Sequence, residues 1–174
     1  MNASAVLQSP NFSGRLLHAV GSGWQLSPIL SFRSGTPITV TSGVDSALTG
    51  VGGQRPNQVL DDVYCVQRSP SCWLNPKAFT VPTTGTYGNL GAYNIYGPNY
   101  FSVNVSVSRR FAIFENHAFE IRGEAFNVQN RVNFNVPTTA LNSANFGKIT
   151  SDVNSAGSAN GSPRIIQLSA KYSF

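Results

Sequence analysis

Residues 162–174 read SPRIIQLSAKYSF. Counting back by twos from the last residue puts Phe174, Tyr172, Ala170, Leu168 and Ile166 on one side, with Ser173, Lys171, Ser169 and Gln167 on the other. Side chains alternate across a strand with a period of two. The segment therefore reads as a strand with one apolar and one polar face, stopping at an aromatic residue.

The same period lies upstream. In YFSVNVSVSRRFAIF (100–114), Phe101, Val103, Val105, Val107, Phe111 and Ile113 alternate with Ser102, Asn104, Ser106, Ser108 and Arg110. In AFEIRGEAFNV (118–128), Phe119, Ile121, Gly123 and Ala125 stand against Glu120, Arg122, Glu124 and Phe126. The ENH between them (115–117) predicts a tight turn and hence a β-hairpin. Nearer the start, GWQLSPILSFRSG (23–35) sets Trp24, Leu26, Pro28, Leu30 and Phe32 against Gln25, Ser27, Ile29 and Ser31. Pro28 removes a ladder donor, which predicts a bulge or an edge-like irregularity. NFSGRLLHAV (11–20) is a weaker strand candidate, joined to the next through Gly21–Gly23. The expected class is all-β, with about five antiparallel strands.

The connections alternate between short turns at 21–23 and 115–117 and long segments at about 36–99 and 129–162. Compact domains rarely hold irregular stretches of that length. Bacterial outer-membrane barrels do, with short periplasmic turns and long extracellular loops. The reading is thus a partial antiparallel transmembrane β-barrel with two long extracellular loops and a periplasmic C-terminus. Trp24, Phe111, Phe114, Phe119, Tyr172 and Phe174 all fall near a short turn or the C-terminus, where one aromatic girdle belongs, with Phe32 and Phe101 at the other rim.

Composition agrees with this class. Only 11% of the 174 residues are charged, while Gly 16 and Pro 10 make the chain dense in turns. An average domain carries about 25% charged residues. The net charge of +5 comes from dispersed residues without a basic stripe, so nucleic acid is not an expected partner. No apolar run is long enough for a transmembrane helix, and a mean hydropathy of −0.09 suits strands that alternate. The opening MNASAVLQSPNF lacks the basic and apolar regions of a secretory signal, so a signal is expected upstream.

Turned toward a barrel lumen, the polar face would carry Glu120, Arg122 and Glu124 on one strand, with Arg110 opposite Glu120 or Arg122 and Lys171 near Glu120. These charges either line a docking surface or solute path, or form a solvated polar face. Arg109 falls on the outward face, where an arginine costs roughly 2–4 kcal/mol at the bilayer midplane and far less near the interface. Snorkelling to the headgroups or a register break would relieve it. Cys65 and Cys72 sit in one short segment, CVQRSPSC, that suits either a disulfide in an oxidising compartment or free thiols. Zinc would need two further ligands, and His18 and His117 are distant in sequence.

Several stretches carry a resemblance. GTYGNLGAYNIYGPNYFSVNVSVSRRF, EIRGEAFNVQNRVNFNVP, FGKIT and PRIIQLSAKYSF resemble patterns of TonB-dependent outer-membrane transporters of the Oar-like type, as do SFRSGTPITV and QRPNQV. The likeness runs from about residue 12 to the end, with Ala92 where arginine is usual and Asn104 where aspartate is usual. It implies a barrel of roughly 22 strands holding an N-terminal plug. The whole chain, 1–174, would then be the C-terminal fragment of that barrel, without plug or signal peptide. Implied partners are outer-membrane lipid, the rest of the barrel and its plug, the TonB energy-coupling complex, and the insertion machinery that reads a terminal aromatic signal, here Tyr172 and Phe174.

No catalytic constellation is expected: there is no GxSxG elbow, and GVGG and GNLG lack the lysine and helix of a phosphate loop. Asp45, Asp61 and Asp62 do not have the spacing of a calcium loop, so neither metal nor cofactor is expected. Loop aromatics Tyr64, Trp73, Tyr87, Tyr93, Tyr96 and Tyr100 either stack on a ligand or pin the loop. The competing reading is a β-sandwich serving as an adhesin or carbohydrate-binding module, whose apolar faces would pack on each other.

Overall fold

The computed structural model describes residues 1–114, 116–153 and 163–174. In chain order these form β1 (Asn2–Ser4), β2 (Leu7–Gln8), α1 (Arg15–Gly21), β3 (Trp24–Arg33), β4 (Pro37–Ile38), β5 (Asn57–Gln58), β6 (Tyr64–Ser69), β7 (Cys72–Leu74), β8 (Phe79–Thr80), β9 (Ile95–Tyr96), β10 (Tyr100–Phe114), β11 (His117–Phe126) and β12 (Ile165–Ser173). They divide into two compact units.

The first unit is an antiparallel sheet in the order β1–β3–β10–β11–β12, with β2 also on β3. β3 and β11 have 10 residues each and β12 has 9, the length of a tilted strand that crosses a bilayer. The hairpin of β10 and β11 holds register from Val105↔Ala125 to Ala112↔Ala118, with an irregularity only before Phe114↔His117. The sheet does not close: β12 lies at one end and β1 with β2 at the other. The fold class is therefore all-β, antiparallel and a partial barrel.

Two local expectations are corrected. The strand expected over 11–20 is instead the helix α1, because Leu16, Leu17, Ala19 and Val20 follow a helical spacing rather than an alternation. The first sheet row comes from β1 and β2, and β2 is joined to β3 by 9–23 rather than by a three-residue turn. At Pro28 the second of the two expected outcomes holds, an irregularity of the ladder without a bulge in β3. Ala5 N–H donates to the Pro28 carbonyl at 3.2 Å, and proline has no N–H to return the bond. The ladder lapses in the partner instead, between β1 and β2, while both keep one register on β3.

The second unit holds Arg33–Tyr100 and residues 133–153. The first long segment is not irregular: it builds two-stranded sheets β4–β9, β5–β8 and β6–β7 around a core to which the described part of the second segment adds Phe146. Val40, Leu74 and Ile95 are fully buried there, with Phe79, Leu90 and Phe146 close behind. Burying a leucine or phenylalanine contributes roughly 1.5–3 kcal/mol. The two segments are bound to each other as well. Trp73 N–H and Leu74 N–H both donate to the Gly147 carbonyl, at 2.8 and 3.2 Å, and Phe79 meets Phe146 edge to face at 5.6 Å. Leu141 N–H donates to the Thr41 carbonyl at 2.8 Å, and Thr41 N–H to that of Thr139 at 3.0 Å.

Candidate functional site

The register of the last three strands assembles one polar and one apolar face. Arg110 lies opposite Glu120, Ser108 opposite Arg122 and Ser106 opposite Glu124. Across β11, Glu120 lies opposite Lys171, Arg122 opposite Ser169 and Glu124 opposite Gln167. Facing residues share a face, so all nine residues make a continuous polar field. On the other face Val105, Val107 and Phe111 oppose Ala125, Gly123 and Phe119, which in turn oppose Ile166, Leu168 and Tyr172. Ile166 is 68% exposed and Leu168 86%, so among the described residues no second sheet covers this face as a sandwich would require.

The polar field forms a cleft of about 330 Å³ lined by Glu120, Arg122, Glu124, Ser169 and Lys171. Arg122 is the shared counter-ion: Nη2 is 2.8 Å and Nε 3.2 Å from Glu120 Oε1, and Nη1 is 3.8 Å from Glu124 Oε1. Among the described residues the ion pairs on this face run along β11, whereas the register sets Arg110 and Lys171 to either side of Glu120. Partly exposed pairs of this kind contribute only about 0–1 kcal/mol. Their consequence is chemical: a surface that presents both signs of charge to a polar guest or to water.

Arg109 is answered without a register break, since it stays paired with Ile121. Its Nη2 donates to the Ala19 carbonyl at 2.6 Å and Nη1 to the Val20 carbonyl at 3.1 Å, at the C-terminal end of α1. The guanidinium also lies 4.7 Å from the Phe111 ring centre and 5.6 Å from that of Trp24, whose Nε1 donates to Val20 as well, at 2.7 Å. Helix ends leave carbonyls without partners, and a cation suits that end.

The aromatic terminus joins a cluster at the hairpin turn. Tyr172 lies opposite Phe119, hydrogen-bonds through its hydroxyl to His117 Nδ1 at 2.8 Å and stacks on that ring. Phe174 follows at 6.1 Å from Tyr172, and Phe114 meets His117 edge-on.

Cys65 and Cys72 form a disulfide across β6 and β7, with their Cα atoms 5.9 Å apart. Of the loop aromatics, Tyr64 accepts from Tyr96 N–H and carries Arg68 over its ring, Trp73 donates to the Tyr96 carbonyl, and Tyr100 lies under Arg33. Tyr87 and Tyr93 stay largely exposed. Asp45 caps the following turn: its carboxylate accepts from Thr49 N–H, Gly50 N–H and Gln54 Nε2. The Thr49 N–H bond foremost holds its pKa below the usual carboxylate range. Asp62 similarly accepts from Tyr64 N–H.

Two arrangements escaped sequence reasoning. Asn57 Oδ1 accepts from Asn89 N–H at 3.0 Å while Asn89 Oδ1 accepts from Gln58 N–H at 2.7 Å, so QRPNQV and GNLG clasp each other. Gly88 fits there because a Cβ would collide with the Arg55 and Pro56 carbonyls. Asn104 Oδ1 accepts from Asn127 N–H at 2.9 Å. An aspartate would supply the same acceptor. The density of asparagine in FNVQNRVNF was the available signal.

No curated protein and no solved structure matches the chain. A family model described as outer membrane beta barrel domain matches residues 1–167. With an open antiparallel sheet, one apolar face and strands of membrane-crossing length, the chain belongs to the outer membrane beta barrel domain family.

Proposed function

We propose that the chain is the C-terminal barrel segment of a TonB-dependent transporter of the Oar-like type, serving passage of a ligand across the outer membrane rather than catalysis. As a family member it is a membrane-embedded barrel protein of the bacterial outer membrane. The carrying observation is the two-faced register of β10, β11 and β12, with Arg110, Glu120, Arg122, Glu124 and Lys171 on one side and Phe111, Leu168 and Tyr172 on the other. A closed barrel with lipid outside needs apolar residues outward and tolerates charge inward or close to the interfaces. In this reading the mixed charges face a plug domain, the second unit is extracellular, and the C-terminus is periplasmic. Tyr172 and Phe174 are then the signal for outer-membrane insertion, and the TonB complex acts through the plug.

Sequencing the transcript that contains this chain tests the transporter assignment. A continuous frame encoding a signal peptide, a plug and further alternating strands is the expected result. A frame without a plug removes the transport assignment and leaves a barrel of another kind.

A further inference from the structure

We propose that α1 is an interfacial anchor, lying at the headgroup level of the bilayer with Leu16, Leu17 and Val20 against lipid. The inference rests on the reading that the apolar face of the sheet meets lipid. The helix has two distinct sides: at 3.6 residues per turn Leu16, Leu17 and Val20 form one stripe, and Arg15 and His18 project from the opposite side. None of the stripe is buried; Leu16 is 82% exposed, Leu17 64% and Val20 70%. A seven-residue helix is too short to persist in water on its own propensity, so it needs a surface to lie on.

The surface is identified by what fixes the helix. Arg109 and Trp24 hold its C-terminal carbonyls, and Arg109 belongs to the same sheet face as Val107, Phe111 and Ile121. The helix is therefore tied to the lipid side of the sheet, not to the charged side. Trp24 and Phe111 beside it belong to the aromatic residues expected at one membrane rim, where an indole with an apolar body and a donating N–H is favoured. The exposed stripe belongs to a helix tied to that lipid-facing side, and Arg15 and His18 on its other side suit the headgroup layer. This is the pattern of a helix that lies in the membrane interface. It also gives Arg109 a use: the cation on the outward face is spent on the helix end.

The test is nitroxide labelling of the whole barrel that contains this chain, in phosphatidylethanolamine–phosphatidylglycerol vesicles and in a background otherwise free of unpaired cysteines, with one cysteine at a time introduced as Leu16→Cys, Leu17→Cys, Val20→Cys or His18→Cys. The two native cysteines are held in the Cys65–Cys72 disulfide and do not compete for the label. Leu168→Cys, on the apolar sheet face, reports separately on lipid exposure of the barrel. The expected result is collision with lipid-soluble oxygen exceeding that with a water-soluble nickel chelate at positions 16, 17 and 20, and the reverse at 18. Nickel dominance at all four helix positions, with oxygen still dominant at 168, overturns the anchor and leaves the barrel reading intact. Shielding of 16, 17 and 20 from both agents means that a protein covers the helix and also overturns it. Nickel dominance at 168 removes the lipid-facing surface itself, and the anchor with it.

Discussion

Arg109 Nη2 lies 2.6 Å from the carbonyl oxygen of Ala19, a residue 90 positions earlier in the chain. The contact joins the longest strand of the sheet to the end of its single described helix, and it turns a charge on an apolar face into a fastening. Arg109→Ala removes both donors together with the cation over Phe111 and Trp24. A charged hydrogen bond contributes about 1.5–3 kcal/mol, and partial exposure reduces this. The expected outcome is faster amide hydrogen exchange across α1 with unchanged protection in β11 and β12. Arg109→Lys keeps the charge but not the two-pronged geometry, so an intermediate exchange rate is expected.

Gly147 sits at φ +73° with its missing Cβ pointing at the Leu74 carbonyl. Gly147→Ala must both strain the backbone and push apart the contact through which Trp73 and Leu74 hold the second long segment. A cost of about 1–3 kcal/mol is expected. It is read as a lower unfolding temperature of the unit around Val40, Leu74 and Phe79, and as proteolysis within 133–153.

The Cys65–Cys72 disulfide closes a short loop in the same unit. Chain-entropy arguments give roughly 2–3 kcal/mol for a loop of this size. The double variant Cys65→Ser, Cys72→Ser is expected to lose about that much in denaturant titration of the loop unit, and to be cleaved by trypsin at Arg68 while the sheet remains resistant.

Asp45 predicts a pH dependence with a definite sign. Its folded pKa is depressed, chiefly by the Thr49 N–H and also by Gly50 N–H and Gln54. The contribution is therefore fully present above the ordinary carboxylate pKa and is lost as pH falls through the lower folded value. Amide exchange at Thr49 and Gly50 is expected to quicken in that acid range, after correction for intrinsic rates. Asp45→Asn, which has no carboxylate to titrate, is expected to abolish that pH-linked change.

What could be read from the sequence follows from where side-chain period carries information. β10, β11 and β12 alternate so regularly that both faces are visible in the order of residues alone, but the order leaves Arg110 opposite either Glu120 or Arg122, and only the register puts it opposite Glu120. The run at 15–20 defeats that method, because two adjacent leucines fit neither strand face and only the helical spacing explains them. Pro28 announces a missing donor but not which neighbour loses it; that depends on the pairing of Ala5 with Pro28. The long segments hide their order for another reason. Their core joins residues as distant as Val40, Leu74 and Phe146, and short strands such as β4 and β5 have too few residues to show a period.

The central claim is that one face of the terminal strands meets lipid and the other does not. A label walked through β12 from Ile166 to Lys171, in the whole barrel assembled in bilayer vesicles, reads this directly. Oxygen accessibility is expected to peak at Ile166, Leu168 and Ala170 and nickel accessibility at Gln167, Ser169 and Lys171, alternating with a period of two. Uniform access of the nickel chelate to all six positions would contradict the account.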